Sequence, residues 1–239
     1  MSKKVVYVGK DLEAMSFAVN YHKWILEEFR PFLGKKLVEV GAGTGSFSEM
    51  LIEENPKNLA LVEPSEMFKF LEQNISQIET GAVVNFYNSI FAETAHKLDE
   101  KPDTIIYVNV LEHIEDDAGE LEKVYETLEP GGHCLVFVPA FMSLYGAFDK
   151  KVGHFRRYTK NELEVKAIAA GFKVVKSKYF DFVGIFPWYI KYKLLRSENL
   201  ESGAVTAYDK FAVPLTKQFE RFLKFPVGKN ILTILKKEQ

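Results

Sequence analysis

Val38-Glu39-Val40-Gly41-Ala42-Gly43-Thr44-Gly45 joins a short apolar run to a glycine-rich turn. The run from Lys36 to Val40 reads as a buried strand, and residues 47–55 (FSEMLIEEN) as the helix that the turn opens. Glycines at such a turn let the backbone come close to a ligand, and the free N–H groups of the following helix then point at it. The spacing is Gly-x-Gly-x-Gly, whereas the dinucleotide fingerprint is Gly-x-Gly-x-x-Gly; Ser46 and Phe47 supply no further glycine. Alone, the turn specifies a nucleotide-type loop.

The same alternation continues outward. Strands are expected at 58–63 (NLALVE), 82–88 (AVVNFYN), 103–110 (DTIIYVNV) and 133–139 (HCLVFVP). Helices are expected at 64–75, with Ser65 as candidate cap, and at 116–128, stopped by Pro130-Gly131-Gly132. Strands alternating with helices imply a parallel sheet covered on both faces. Such sheets bind ligands at the carboxyl ends of their strands, beside the topological switch point. Ahead of the turn, Phe17, Tyr21, Trp24, Ile25 and Phe29 share one face of a helix over 11–32, ended by Pro31 and Gly34. Beyond Pro139, residues 140–159 read as a loop rich in aromatics and charges. Residues 159–172 read as a helix with Thr159 as N-cap, Glu162 at its third position and Gly171 past its end. Strands at 172–180 and 230–237 flank a helical stretch, 181–228, too long for a simple connection and read as a lid. The expected organisation is one domain over 1–239, with a cofactor core at 36–138 and substrate-side elements at 139–160 and 181–228.

Bulk properties narrow the partners. The 31 basic and 33 acidic residues leave a net charge of −2, so nothing argues for nucleic acid. The single cysteine, Cys134, permits no intramolecular disulfide and no multi-cysteine metal site; in HCLVFV it reads as a small core residue. The N-terminus lacks the apolar region and cleavage site of a signal peptide, and no window is long and apolar enough to span a bilayer. A cytoplasmic protein is the expectation.

Glu63 ends the second strand, about twenty residues beyond the turn, where a carboxylate can accept bonds from both hydroxyls of a ribose. The bland alternative is an acid at a helix N-terminus beside Pro64. With Glu63 in place, four segments resemble the motifs of class I S-adenosylmethionine (SAM)-dependent methyltransferases: VEVGAGTGSFS, LVEPSEMF, DTIIYVNVLEHIEDD and LEPGGHCLVFVPA. They occur in the expected order over roughly residues 20 to 180. The resemblance implies a Rossmann-like three-layer α/β sandwich, a seven-stranded mostly parallel sheet whose last strand is antiparallel, a helical and aromatic lid, and SAM as cofactor. Carried over position by position, Gly41, Ala42, Gly43 and Gly45 flank the methionine part and ribose. Glu39 helps to hold the amino group and Glu63 binds the ribose hydroxyls. Pro64, Ser65 and Met67 lie near the adenine, Asn109, Val110 and Leu111 line the sulfonium side, and Tyr21 closes over the cofactor. The chain departs from the family at Tyr87-Asn88-Ser89-Ile90, where an acid usually meets the adenine amine; Asn88 or Ser89 would replace it, beside Ile90.

Methyl transfer is an in-line displacement at a carbon already activated by sulfur, so alignment and exclusion of water do most of the work. A base is needed only when the nucleophile carries a proton of high pKa. His113 is one candidate, since Glu112-His113 resembles a pair beside the substrate in quinone-biosynthesis O-methyltransferases; the alternative is an exposed histidine at a helix entry. His154 is the other, in GHFRRYTKNEL, where it joins Arg156, Arg157 and Tyr158; this cluster either meets the acceptor or forms an internal clamp, with an arginine on Glu162 or Asp149. His22, His96 and His133 carry no assigned role. The acidic run Glu112, Glu115, Asp116, Asp117 reads as a solvated helix start, so no metal is expected. The apolar stretches 141–148 and 180–195 would wall a hydrophobic acceptor pocket; an oligomer contact ranks second and docking on a membrane surface third. The expected acceptor is a small or lipid- or sugar-linked molecule methylated on O or N, less readily on C, by a monomer or homodimer. The alternatives are an NAD-dependent oxidoreductase and a non-catalytic binding module of the same fold.

Overall fold

The computed structural model describes residues 18–199 and 201–239. Seven strands form one sheet: β1 (Lys36–Val40), β2 (Asn58–Val62), β3 (Val83–Tyr87), β4 (Thr104–Val108), β5 (His133–Pro139), β6 (Lys173–Phe180) and β7 (Asn230–Lys236). Their order is β3-β2-β1-β4-β5-β7-β6. The first five are mutually parallel, and β7 runs antiparallel to both β5 and β6. This is the mostly parallel sheet with an antiparallel last strand that the sequence implies.

The central strands are apolar on both sides because both faces are covered. Successive side chains alternate, so Leu37, Leu61, Ile106 and Phe137 join the helices Val19–Phe29, Ser46–Glu53 and Phe68–Ile75 on one face. Val38, Val62, Tyr107 and Val136 join the helices Asp117–Thr127 and Lys160–Ala169 on the other. Each such side chain contributes about 1.5–3 kcal/mol on burial. Cys134 belongs to this second core, fully buried, and burial pushes its thiol well above the ordinary value. β1 and β4 sit where the strand order reverses, and the loops after them open at one edge of the sheet.

Local chemistry explains most boundaries. Thr159 caps its helix: Oγ1 accepts from the Glu162 N–H at 3.3 Å, and Glu162 Oε2 accepts from the Thr159 N–H at 2.7 Å. Ser65 does not cap a helix as expected. Its Oγ accepts from the Met67 N–H at 3.1 Å and closes a turn, so the helix starts only at Phe68. The expected loop 140–159 contains two short helical pieces, Met142–Leu144 and Ala147–Lys151. The second is nucleated by Asp149 Oδ2, which accepts from the Gly146 N–H at 2.8 Å. Of the expected first helix, the part before residue 18 lies outside the described residues.

The stretch between β6 and β7 forms helical segments, Ile185–Trp188 continuing through Tyr189–Leu194, and Ser202–Ala207 continuing through Tyr208–Ala212 into Val213–Phe222. It is tied down on its inner side. The buried Asp209 carboxylate accepts from the N–H groups of Asn20 and Tyr21, at 3.0 and 2.8 Å, and so caps the first helix from 188 and 189 positions away. Lys217 pairs with Glu27 at 2.6 Å, and the Trp188 Nε1–H donates to Leu144 O at 3.3 Å.

Candidate functional site

A cavity of about 220 Å³ opens at the carboxyl ends of β1 and β4. Two kinds of wall meet in it. The glycine turn, Glu39, Glu63, Asn109 and Val110 form one, and Glu112, His113, Phe148, Val152, His154, Arg157 and Trp188 form the other. Tyr21, His22, Lys229 and Asn230 also line it.

The first wall is shaped by backbone requirements. Gly41 has φ +72°, and a Cβ there would lie 2.4 Å from Val110 Cγ2, so only glycine fits. Gly43 has φ +59° and, among the described residues, nothing within 4 Å of where a Cβ would stand, so the turn leaves an open cradle there. Gly45, also left-handed at φ +98°, does not line the cavity; a Cβ there would meet Ile75 at 2.9 Å, which makes it a packing glycine. Asn109 holds φ +54° at the end of β4, a conformation asparagine tolerates better than most residues. The Glu63 carboxylate accepts from the Gly43 N–H and the Ser65 N–H, both at 2.8 Å, and is 4% exposed. Each oxygen keeps a second lone pair for a ligand. Glu39 is buried on the strand before the turn and accepts from the Ser48 hydroxyl. Burial pushes its carboxyl up to about 8, against the opposing pull of that hydroxyl.

The second wall centres on Asp149, fully buried, whose Oδ1 meets His154 Nδ1 and the Arg157 Nε–H, both at 2.8 Å. Burial works against its charge, but the bond from His154 and the attraction of Arg157 outweigh it and hold the carboxyl below its ordinary range. This pairing fixes the His154 ring, with Nε2 3.9 Å from Glu112 Oε1. The Arg157 guanidinium lies 4.7 Å over the Trp188 ring. Glu112 is fully buried, and neither carboxylate oxygen has a hydrogen-bond partner among the described residues. Burial pushes its carboxyl up to about 7. The His113 and His154 rings stand edge to face with centroids 4.5 Å apart. Burial and the neighbouring His154 hold the His113 imidazole down at about 3, hence neutral. Oxygen and nitrogen atoms of Glu112, His113 and His154 lie within 4.8 Å of one another and could hold a cation.

Several expected site residues fall outside the cavity. Tyr158 is turned into the core: its hydroxyl bonds Asp117 Oδ2 at 2.8 Å and Leu111 O at 3.2 Å, and only 1% of it is exposed. Leu111 packs in the same core. Pro64 and Ile90 are exposed away from the lining; Ser65 and Asn88 bond to Glu63, and Met67 to Ser65, without lining the cavity. The Asn88 Nδ2–H donates to Glu63 O at 3.0 Å, and the Ser89 hydroxyl is engaged with Thr94 at 2.6 Å. The cluster at 154–157 divides: Arg157 serves the Asp149 clamp, whereas Arg156 pairs with Asp117 at 2.6 Å. The acidic run also divides, since Asp116 caps a helix and Asp117 sits among Tyr158, Arg156 and Lys166, leaving Glu112 turned inward.

Sequence reasoning gave no role to His22, yet it lines the cavity, with Nδ1 unpartnered among the described residues and burial holding its ring at about 4. Asp149 was named only as a clamp partner; Trp188, Lys229 and Asn230 were not singled out. A signal existed for Asp149: it stands five residues before His154, within the stretch that folds back on itself.

A family model described as a methyltransferase domain matches residues 18–177. Among curated proteins, a ubiquinone biosynthesis O-methyltransferase of Aliivibrio fischeri is 24% identical over 110 residues, covering 46% of this chain and 46% of that protein. The chain therefore spans about half the length of the curated relatives it matches. Among solved structures, a SAM-dependent methyltransferase from Archaeoglobus fulgidus aligns with a TM-score of 0.61 at 20% identity, over 92% of this chain and 94% of that one. The N-methyltransferase NodS of Bradyrhizobium japonicum, solved with S-adenosylhomocysteine, aligns with a TM-score of 0.59 at 13% identity, over 93% and 88%.

Proposed function

Because the chain belongs to the methyltransferase-domain family, we propose that it is a SAM-dependent methyltransferase acting on an oxygen, or alternatively a nitrogen, of a small acceptor, with His154 as base. One observation carries the reading. A single cavity holds a glycine cradle with two buried carboxylates at one wall and an aspartate-oriented histidine at the other.

The residues fit the cofactor. The open cradle at Gly43 admits the ligand backbone, Glu63 has lone pairs free for two ribose hydroxyls, and Glu39 offers a carboxylate for an ammonium group. Asn88 uses its N–H on Glu63 O, which leaves Oδ1 as the acceptor for an adenine amine; Ser89 is already engaged with Thr94. Bound SAM would supply a methyl group made electrophilic by the sulfonium.

This chain's own side chains then do three things. Asp149 takes the Nδ1–H of His154, so that Nε2 is the lone-pair nitrogen and can accept a hydroxyl proton from the acceptor. Phe148, Val152 and Trp188 surround the acceptor with apolar surface and keep water out. Neutral His113 packs against the His154 ring and holds it in place. His113 is the weaker candidate for base, because a group that protonates only near pH 3 has little proton affinity at neutral pH. The O-methyltransferase names of the relatives favour oxygen.

The test is turnover with methyl-labelled SAM and a panel of phenols and amines, following S-adenosylhomocysteine. Wild-type protein is expected to label a phenol. Loss of turnover on every acceptor, with cofactor binding intact, would leave the fold without the reaction.

A further inference from the structure

The helical segments between β6 and β7 do not end their apolar character at the core. Among the described residues, twenty large hydrophobic side chains are exposed, and eleven of them lie between Val183 and Leu223. They are ordered. Along Tyr208–Ala212 and the helix Val213–Phe222 that continues it, the buried residues Val213 and Thr216 face inward, while Phe211, Leu215, Phe219 and Phe222, at spacings of four, four and three, form the opposite stripe, 59–77% exposed. On the preceding segment, Trp188 and Tyr192 face the interior, while Phe186, Ile190 and Leu194, each four apart, face out at 53–60%. A monomer in water gains nothing from two apolar stripes directed at solvent.

Charge is segregated with them. Residues 182–228 hold seven basic and four acidic side chains, a net +3, while the rest of the chain carries −5. One of the four acids, Asp209, is buried as a helix cap, and another, Glu220, is partly buried and accepts from the Phe182 N–H at 2.7 Å. Arg196, Lys210, Arg221 and Lys224 are exposed and form no ion pair among the described residues. Outward apolar stripes flanked by unpaired basic side chains are the pattern of a helix that lies in a membrane interface. A second copy of the chain would bring +3 against +3 at that face, whereas an anionic lipid surface complements it.

We infer that the outward face of residues 183–224 docks on an anionic bilayer surface. The helix that offers Phe186 and Ile190 to the lipid offers Trp188 to the cavity, so a docked protein places its acceptor wall beside the membrane. If the methyltransferase reading holds, the acceptor is then an amphiphile drawn from the bilayer with its polar end toward His154.

The experiment is co-sedimentation of the full chain with vesicles of phosphatidylcholine alone and with an equal mixture of phosphatidylcholine and phosphatidylglycerol. Binding to the mixed vesicles is expected to be at least about tenfold stronger than to the neutral ones, and to weaken in high salt. The exposed pair Phe219→Ser and Phe222→Ser, and separately Lys210→Glu with Lys224→Glu, are each expected to lower it about tenfold or more. Titration with S-adenosylhomocysteine should give wild-type affinity in these variants, which separates failure of docking from failure of the cofactor site. Absence of binding to the mixed vesicles, or binding that the variants leave intact, overturns the proposal. So does a dimer, detected by light scattering without lipid, that the phenylalanine pair dissolves.

Discussion

The two walls of the cavity are built in different ways. The cofactor wall takes Glu39, the glycine turn and Glu63 from one βαβ unit, and its carboxylates are held by N–H and O–H groups a few residues to twenty positions away. The acceptor wall gathers Glu112, Asp149, His154, Arg157 and Trp188 from three separate connections, and it leaves the buried Glu112 carboxylate with no hydrogen-bond partner among the described residues. The first wall is thus a property of local sequence, and the second of tertiary folding. A cofactor site can be shared across a family while an acceptor site is rebuilt on loops.

Removing one group from each wall should separate the two roles. The largest effect is expected for His154→Gln: a fall in kcat of about 10²–10⁴ with unchanged affinity for S-adenosylhomocysteine, measured by steady-state kinetics and calorimetry. An equal loss in His113→Gln would make the two histidines a unit instead. Asp149→Asn should cost about 3 kcal/mol in denaturant unfolding, because it leaves the buried Arg157 without its charge partner. It should also lower kcat by freeing the His154 ring.

On the other wall the effects are smaller and fall on binding. Glu63→Ala should weaken S-adenosylhomocysteine by about 1–3 kcal/mol in calorimetry. Glu39 adds a pH dependence of defined sign. Burial raises its carboxyl to about 8, so below that pH it is protonated in the free protein. Binding an ammonium group requires the carboxylate, so affinity should rise with pH between 6 and 8, by up to about tenfold per unit. Glu39→Gln should bind weakly and flatten that slope. The smallest effect is expected for Tyr158→Phe, about 1 kcal/mol in stability with kcat unchanged, since its hydroxyl serves Asp117 and Leu111 O in the core.

The same contrast decides what could be read from the sequence. The glycine turn, Glu63 and the strand alternation were legible because strand, turn and helix follow from periodicity and glycine placement within short windows. The Thr159–Glu162 cap was legible for the same reason. Tyr158 was misplaced because its neighbours in sequence, Arg157 and Arg156, point to different partners, one at the cavity and one at Asp117. A loop sequence carries no period from which to read side-chain direction. Ser65 looked like a cap because its position before an apolar run is right; that its hydroxyl closes a turn on the Met67 N–H instead, ahead of the helix, is visible only in three dimensions. Glu112 was read both as half of a pair beside the substrate and as part of a solvated acidic run, and only the return of residues 149–157 over it shows that it is buried. The apolar stretch 180–195 was read first as pocket wall; its side chains divide, since Trp188 lines the cavity while Phe186 and Ile190 face away.

The most direct test of the cofactor site is calorimetric titration of the purified chain with S-adenosylhomocysteine and, separately, with NAD. Micromolar binding of the first, weakened by about 1–3 kcal/mol in Glu63→Ala, and no binding of the second is the expected result. Binding of NAD with none of S-adenosylhomocysteine would contradict the account at its centre.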